Sequence, residues 1–149
     1  MKSSVRQSID KLDYIIRAVP QLISALNEEE MSAKPQPEKW SKKEIIGHLI
    51  DSATNNHQRF VRAQFEVQPE ISYDQDNWNA FSFYQEIESG QLILFWTIYN
   101  KQLIEIIKRI SPENLKKHVE IGEHFYTLEF LIEDYVAHLE HHLKQIITY

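Results

Sequence analysis

Four stretches of this chain repeat apolar residues every three or four positions, and a chain built that way must fold by laying helices against one another. The first runs from about Val5 to Leu26, with Ile9, Leu12, Ile15, Ile16, Val19, Leu22 and Ile23 at helical spacing. Pro20 lies inside it, so a kink or break is expected just before that residue. The second begins at Ser41-Lys42-Lys43-Glu44, a capping box in which serine caps an early amide and glutamate reaches back. It should continue to about Phe65. The third spans about Phe81 to Ile110, with Gly90 marking a fresh start near Gln91. The fourth runs from Thr127, its N-cap, to Thr148. Asn27 to Lys34 reads as frayed chain, Pro35 to Lys39 as a stiff non-helical link, and Gln68 to Asn79 as a loop. His118 to Tyr126 alternates weakly about Gly122 and reads as a small hairpin. With only three glycines and five prolines in 149 residues, the expectation is a single all-α domain, a four-helix bundle.

The fourth stretch carries the chemistry. Its inward stripe reads Leu128, Leu131, Tyr135, His138, His142, Gln145 and Tyr149, while His141 falls outward with Asp134, Ala137, Lys144 and Thr148. Two imidazoles one turn apart on an inward face have two readings. Each ring finds its own hydrogen bond in the core, or one metal ion satisfies both. A third ligand decides between them. His48 is the best placed, on a polar stripe of the second helix with Ser52, Asn55 or Asn56, and Arg59. His57, His118 and His124 read as surface or loop residues.

Composition narrows the rest. There is no cysteine, so disulfides, thiolate ligands and a catalytic thiol of the protein's own are excluded. Any metal must sit on imidazole, carboxylate or water. Sixteen basic against 22 acidic side chains give a net charge of −6, and the lysines are scattered. Nucleic acid is therefore not an expected partner. No window is apolar enough to span a membrane and no apolar signal segment opens the chain, so the expected location is the cytoplasm.

Lys39-Trp40-Ser41, then Glu44-Ile45-Ile46-Gly47-His48-Leu49-Ile50-Asp51, then Arg59, Tyr73-Asp74-Gln75-Asp76-Asn77-Trp78 and His138-x-x-His141-His142-x-x-Gln145-Ile146 occur in this order. Together they resemble the DinB/YfiT-like superfamily. The resemblance implies a four-helix bundle, often dimeric, with one divalent metal ion held by His48, His138 and His142. Zinc is the first choice, with nickel, manganese or iron as alternatives. The family includes thiol S-transferases, a thiol-dependent isomerase and proteins assigned as hydrolases, so the resemblance fixes the metal more firmly than the reaction. A small-molecule substrate is expected, a low-molecular-weight thiol among the candidates.

Asp51, one turn beyond His48, is a candidate base or partner to a ligand; otherwise it is a solvated carboxylate. Arg59 is a candidate clamp for an anionic group, or else half of a surface ion pair. Trp40 and Trp78 are candidate pocket walls, or else packing aromatics. Three readings stay open: an enzyme activating a thiol or water, a module that binds metal without turnover, and a structural dimer whose histidines staple two helices.

Overall fold

The computed structural model describes residues 3–149. Six helices and one hairpin follow in order: α1 (Ser3–Ser24), α2 (Glu28–Ser32), α3 (Lys42–Arg62), α4 (Gln75–Ala80), α5 (Ser89–Ile107), β1 (His118–Ile121), β2 (His124–Thr127) and α6 (Leu128–Leu143). The four long helices α1, α3, α5 and α6 form the expected bundle. In it α1 and α3 each pack against both α5 and α6, so α1 and α3 stand across the bundle from one another. The helices α3 and α6 run antiparallel: His48 lies beside His138 and His142, and Phe60 beside Tyr135.

Local chemistry explains most boundaries. Ser41 and Glu44 form the capping box, with Ser41 Oγ accepting from the Glu44 amide at 3.1 Å. Thr127 caps α6 by accepting from the Phe130 amide. The hairpin pairs His118 with Thr127 and Ile121 with His124, and Gly122 sits at φ 60 in its turn, where glycine carries no Cβ penalty.

Five expectations need correction. The first helix passes through Pro20 without a break and ends at Ser24. The segment expected to fray contains α2, capped by a second box in which Asn27 and Glu30 exchange side-chain bonds. The loop 68–79 holds the start of α4, capped by Asp74. The third long helix starts at Ser89, because residues 81–88 are irregular around a short 3-10 turn at Tyr84–Glu86. Helix α6 also stops at Leu143, five residues short of Thr148.

The core runs through all four long helices, with Leu12, Ile15, Ile46, Leu49, Phe60, Trp96, Leu103, Leu128 and Ile132 nearly inaccessible. Leu94, Phe95 and Ile98 lie exposed on the outer face of α5. One close approach fixes how the irregular segment meets α3: the Tyr84 ring lies flat against Gly47. A methyl group built on Gly47 would stand 2.0 Å from Tyr84 Cδ2. Alanine ordinarily favours a helix over glycine by about 1 kcal/mol, whereas overpacking costs about 1–3 kcal/mol or more. Gly47→Ala is therefore expected to lower stability by about 1–3 kcal/mol in urea denaturation. An unchanged or raised midpoint would show that Tyr84 does not occupy this seat.

Candidate metal centre

Helix α3 is buried nearly all round, and its polar side chains must find partners inside the protein. Asn55 and Asn56 each donate to the backbone carbonyl one turn before them, those of Asp51 and Ser52. The ammonium of buried Lys43 reaches Glu28 and the Gln85 carbonyl, both at 3.2 Å. Two polar atoms on this helix stay buried with no partner: His48 Nδ1 and Asp51 Oδ2. Both lie at the end of α3 that faces the C-terminal half of α6.

There His48, His138 and His142 converge. His48 Nε2 lies 3.2 Å from His138 Nε2, and ring centroids are 4.7 Å apart for His48 and His142 and 4.6 Å for His138 and His142. One nitrogen from each of the three falls within 4.8 Å of the others, and among the described residues no carboxylate joins the group. A tetrahedral ion with Zn–N bonds of about 2.0–2.1 Å separates its ligand nitrogens by roughly 3.3 Å. The His48–His138 spacing of 3.2 Å is already near that value. The donor set fits a divalent ion that accepts imidazole.

The position of the pair on α6 differs from the inward stripe read in the sequence. The leucine stripe continues through Leu139, Leu143 and Ile146, all buried, while His138 and His142 sit half-buried along its edge. His141 is exposed, as its register predicts. The histidines thus stand between core and solvent rather than in place of core leucines, which leaves one side of the site accessible.

That side is a cleft of about 570 Å³ lined by Pro35, Gln36, Glu38, Lys39, Trp40, Ile45, Asp76, His142 and Gln145. Trp40 lies over the His48 ring with centroids 4.8 Å apart. Trp78 is partly exposed and meets the Tyr73 ring edge-on at 5.8 Å; it is absent from the residues lining the cleft. Arg59 is buried, in neither an open clamp nor a surface ion pair. Its Nε and Nη2 donate to the Ile71 carbonyl at 3.1 and 2.9 Å, and Nη1 donates to Asn56. It secures the chain leading into α4. Asp51 is buried rather than solvated and accepts from the Tyr84 hydroxyl at 2.5 Å. Tyr84 and Gln145 were not assigned roles from the sequence. Tyr84 lies in an irregular segment with no periodic signal, whereas Gln145 stands three residues after His142 in the motif itself.

Burial dominates the electrostatics. It depresses the His48 imidazole to about 3 and that of His138 to about 4, helped in each case by neighbouring histidines. His142 is also lowered by burial, against the opposing hydrogen bond to Gln145. All three are neutral at pH 7, with lone pairs free for a cation. Burial raises Asp51 to about 6, although the Tyr84 bond pulls the other way.

The family model of the DinB superfamily matches residues 11–146. This chain belongs to that superfamily. A protein of Oceanobacillus iheyensis named "putative metal-dependent hydrolase" is 25% identical over 97% of this chain and 84% of its own. Bacillus subtilis YfiT, with the same description, is 23% identical over 97% of this chain and 85% of its own. The solved structure of YfiT superposes with a TM-score of 0.89 at 19% identity, covering 98% of this chain and 85% of that one. It is described as a probable metal-dependent hydrolase with an unusual four-helix bundle topology. The fold of this superfamily member is therefore the one expected from its motifs.

The pKa shifts set a pH window for the metal-free protein. Imidazoles of the unfolded chain take up protons near 6.5, while His48 and His138 in the fold resist to about 3 and about 4. Their contribution to stability is whole above pH 6.5 and lost as pH falls through that interval. Asp51 has the opposite sign: its contribution is whole below 3.8 and lost as pH rises through about 6. A double variant, His48→Gln with His138→Gln, should therefore lose less stability between pH 7 and 5 than the metal-free parent in chemical denaturation. Equal losses would show that these two rings titrate normally.

Proposed function

We propose that this protein is a divalent-metal-dependent enzyme that activates water, or a small-molecule thiol, at His48, His138 and His142. The observation that supports this most is the open cleft reaching a cluster of three neutral imidazoles with no fourth protein ligand among the described residues. A purely structural ion is normally enclosed by four protein ligands, whereas a catalytic one keeps a position open. The names of the relatives favour water, and hence hydrolysis, over a thiol. Zinc is the first choice for an all-imidazole set, and nickel, manganese and iron are the alternatives.

When bound, such an ion supplies Lewis-acid activation, lowering the pKa of water or a thiol held beside it. The chain's own residues do the rest. Three neutral ligands leave a dication uncompensated, so the site favours an anionic nucleophile. Trp40 shields one face of His48 from solvent and walls the cleft where a small substrate would lie. Asp51, one turn beyond His48 with one oxygen held by Tyr84 and the other unpaired, remains the candidate base of this site. Trp78 and Arg59 lie outside this cleft, against Tyr73 and Ile71.

Purified protein should hold about one divalent ion per chain, as a single three-ligand site requires. His48→Ala, His138→Ala and His142→Ala should each remove it, together with any activity towards ester or amide substrates and thiol–electrophile pairs. His141→Ala, on the exposed face, should keep the ion and shift stability by no more than about 0.5 kcal/mol. Elemental analysis of the four variants after dialysis and zinc reconstitution decides this. Loss of metal from His141→Ala with retention in His142→Ala would refute the assignment.

The homodimer expected from the family resemblance belongs to the same proposal, with the outer face of α5 as its surface. Leu94, Phe95 and Ile98 form an apolar patch there, ahead of exposed Lys101, Gln102 and Glu105, and a cluster of large exposed apolar side chains normally marks a contact surface. Light scattering should give twice the chain mass, reduced to the chain mass by Phe95→Glu with Ile98→Glu. A monomeric parent would remove the dimer.

A further inference from the structure

Any ion held by imidazole depends on which ring nitrogen offers its lone pair, and that is set by the bond the other nitrogen makes. The three histidines differ in this respect. His48 Nδ1 is buried with no partner. His142 Nδ1 lies 3.0 Å from Gln145 Oε1, an atom that can only accept. With Oε1 facing the ring, this bond forms in the tautomer that carries the proton on Nδ1, which leaves Nε2 of His142 for an ion. Among the described residues His142 is the one member of the set whose second nitrogen is bonded to a protein group outside the set.

Gln145 stands three residues beyond His142, the spacing at which side chains of a helical turn are neighbours. The helix closes at Leu143, and the Gln145 amide donates to the His142 carbonyl in the turn that follows. The turn keeps that side chain beside the His142 ring and at the cleft wall. Of the three histidines His142 is the one that borders the cleft.

The geometry points to Gln145 as the positioning residue of the metal centre, holding His142 in the Nδ1–H tautomer with Nε2 turned towards His48 and His138. This rests on the metal-site reading above, and the test separates the two. Gln145 is exposed, so its replacement leaves the core intact. Gln145→Ala removes the acceptor, whereas Gln145→Glu keeps an oxygen able to accept from Nδ1–H.

The experiment measures zinc affinity by chelator competition for the parent and both variants, alongside the His142 tautomer from long-range proton–nitrogen NMR of the metal-free proteins. The expected result is a zinc Kd about 10–100-fold weaker for Gln145→Ala, most of the affinity restored in Gln145→Glu, and equal thermal midpoints for all three metal-free proteins. The metal-free parent should show His142 protonated on Nδ1, and Gln145→Ala should lose that preference. If the parent fails to bind zinc, the metal-site reading falls, while the tautomer still decides the role of Gln145. A parent His142 protonated on Nε2 overturns the inference. So does zinc affinity in Gln145→Ala within about twofold of the parent, a margin far inside the effect expected for such a partner.

Discussion

The burial of α3 on nearly every side is the constraint on which the other elements depend. A helix that meets α2, α4, α5 and α6 along one length cannot leave its polar side chains to water. Lys43, Asn55, Asn56 and Arg59 each find a carbonyl or carboxylate, and the bonds of Lys43 and Arg59 hold the irregular segments in place. Lys43 ties down α2 and the Tyr84 segment, and Arg59 ties down Ile71. Ile71 in turn bonds to Glu120 in β1, so the chain entering α4 is anchored to the hairpin as well. Where this satisfaction stops, at His48 Nδ1 and Asp51 Oδ2, the candidate metal centre begins.

The same burial gives that centre its electrostatics. Removing three imidazoles from water disfavours their charged forms, so the fold supplies neutral donors without any compensating carboxylate. A carboxylate in the same environment behaves inversely, and Asp51 holds its proton to a higher pH than a solvated aspartate does. One physical cause, desolvation, thus sets two opposite shifts one helical turn apart.

Much of this was legible in the residues because the signals were local. The Ser41–Glu44 capping box, the helical repeat, Gly122 in the hairpin turn and the outward register of His141 all depend on neighbours within four positions. What escaped depends on contacts distant in sequence, or on signals overridden by them. Asn27 and Glu30 carry the same capping chemistry as Ser41 and Glu44, but only Met31 follows as a buried apolar residue, too little for a visible repeat. Tyr84 earns its place solely by packing on Gly47 and bonding to Asp51, and no periodicity announces that. Arg59 looked available because its acceptor, a backbone carbonyl at Ile71, has no side-chain signature. His138 and His142 were read as core positions because a repeat of three and four also fits the edge of a stripe.

The cage and the cleft are made from different parts of the chain. The three histidines project from α3 and α6, long helices fixed by the core. Most of the cleft's rim comes from connections: residues 35–40, Asp76 at the start of α4, and Gln145 in the closing turn. Connections of this kind accept changes of length and side chain that a packed helix does not. A chain built this way can change what its cleft admits without moving the three histidines, the doorway being open to revision while the hearth stays in place.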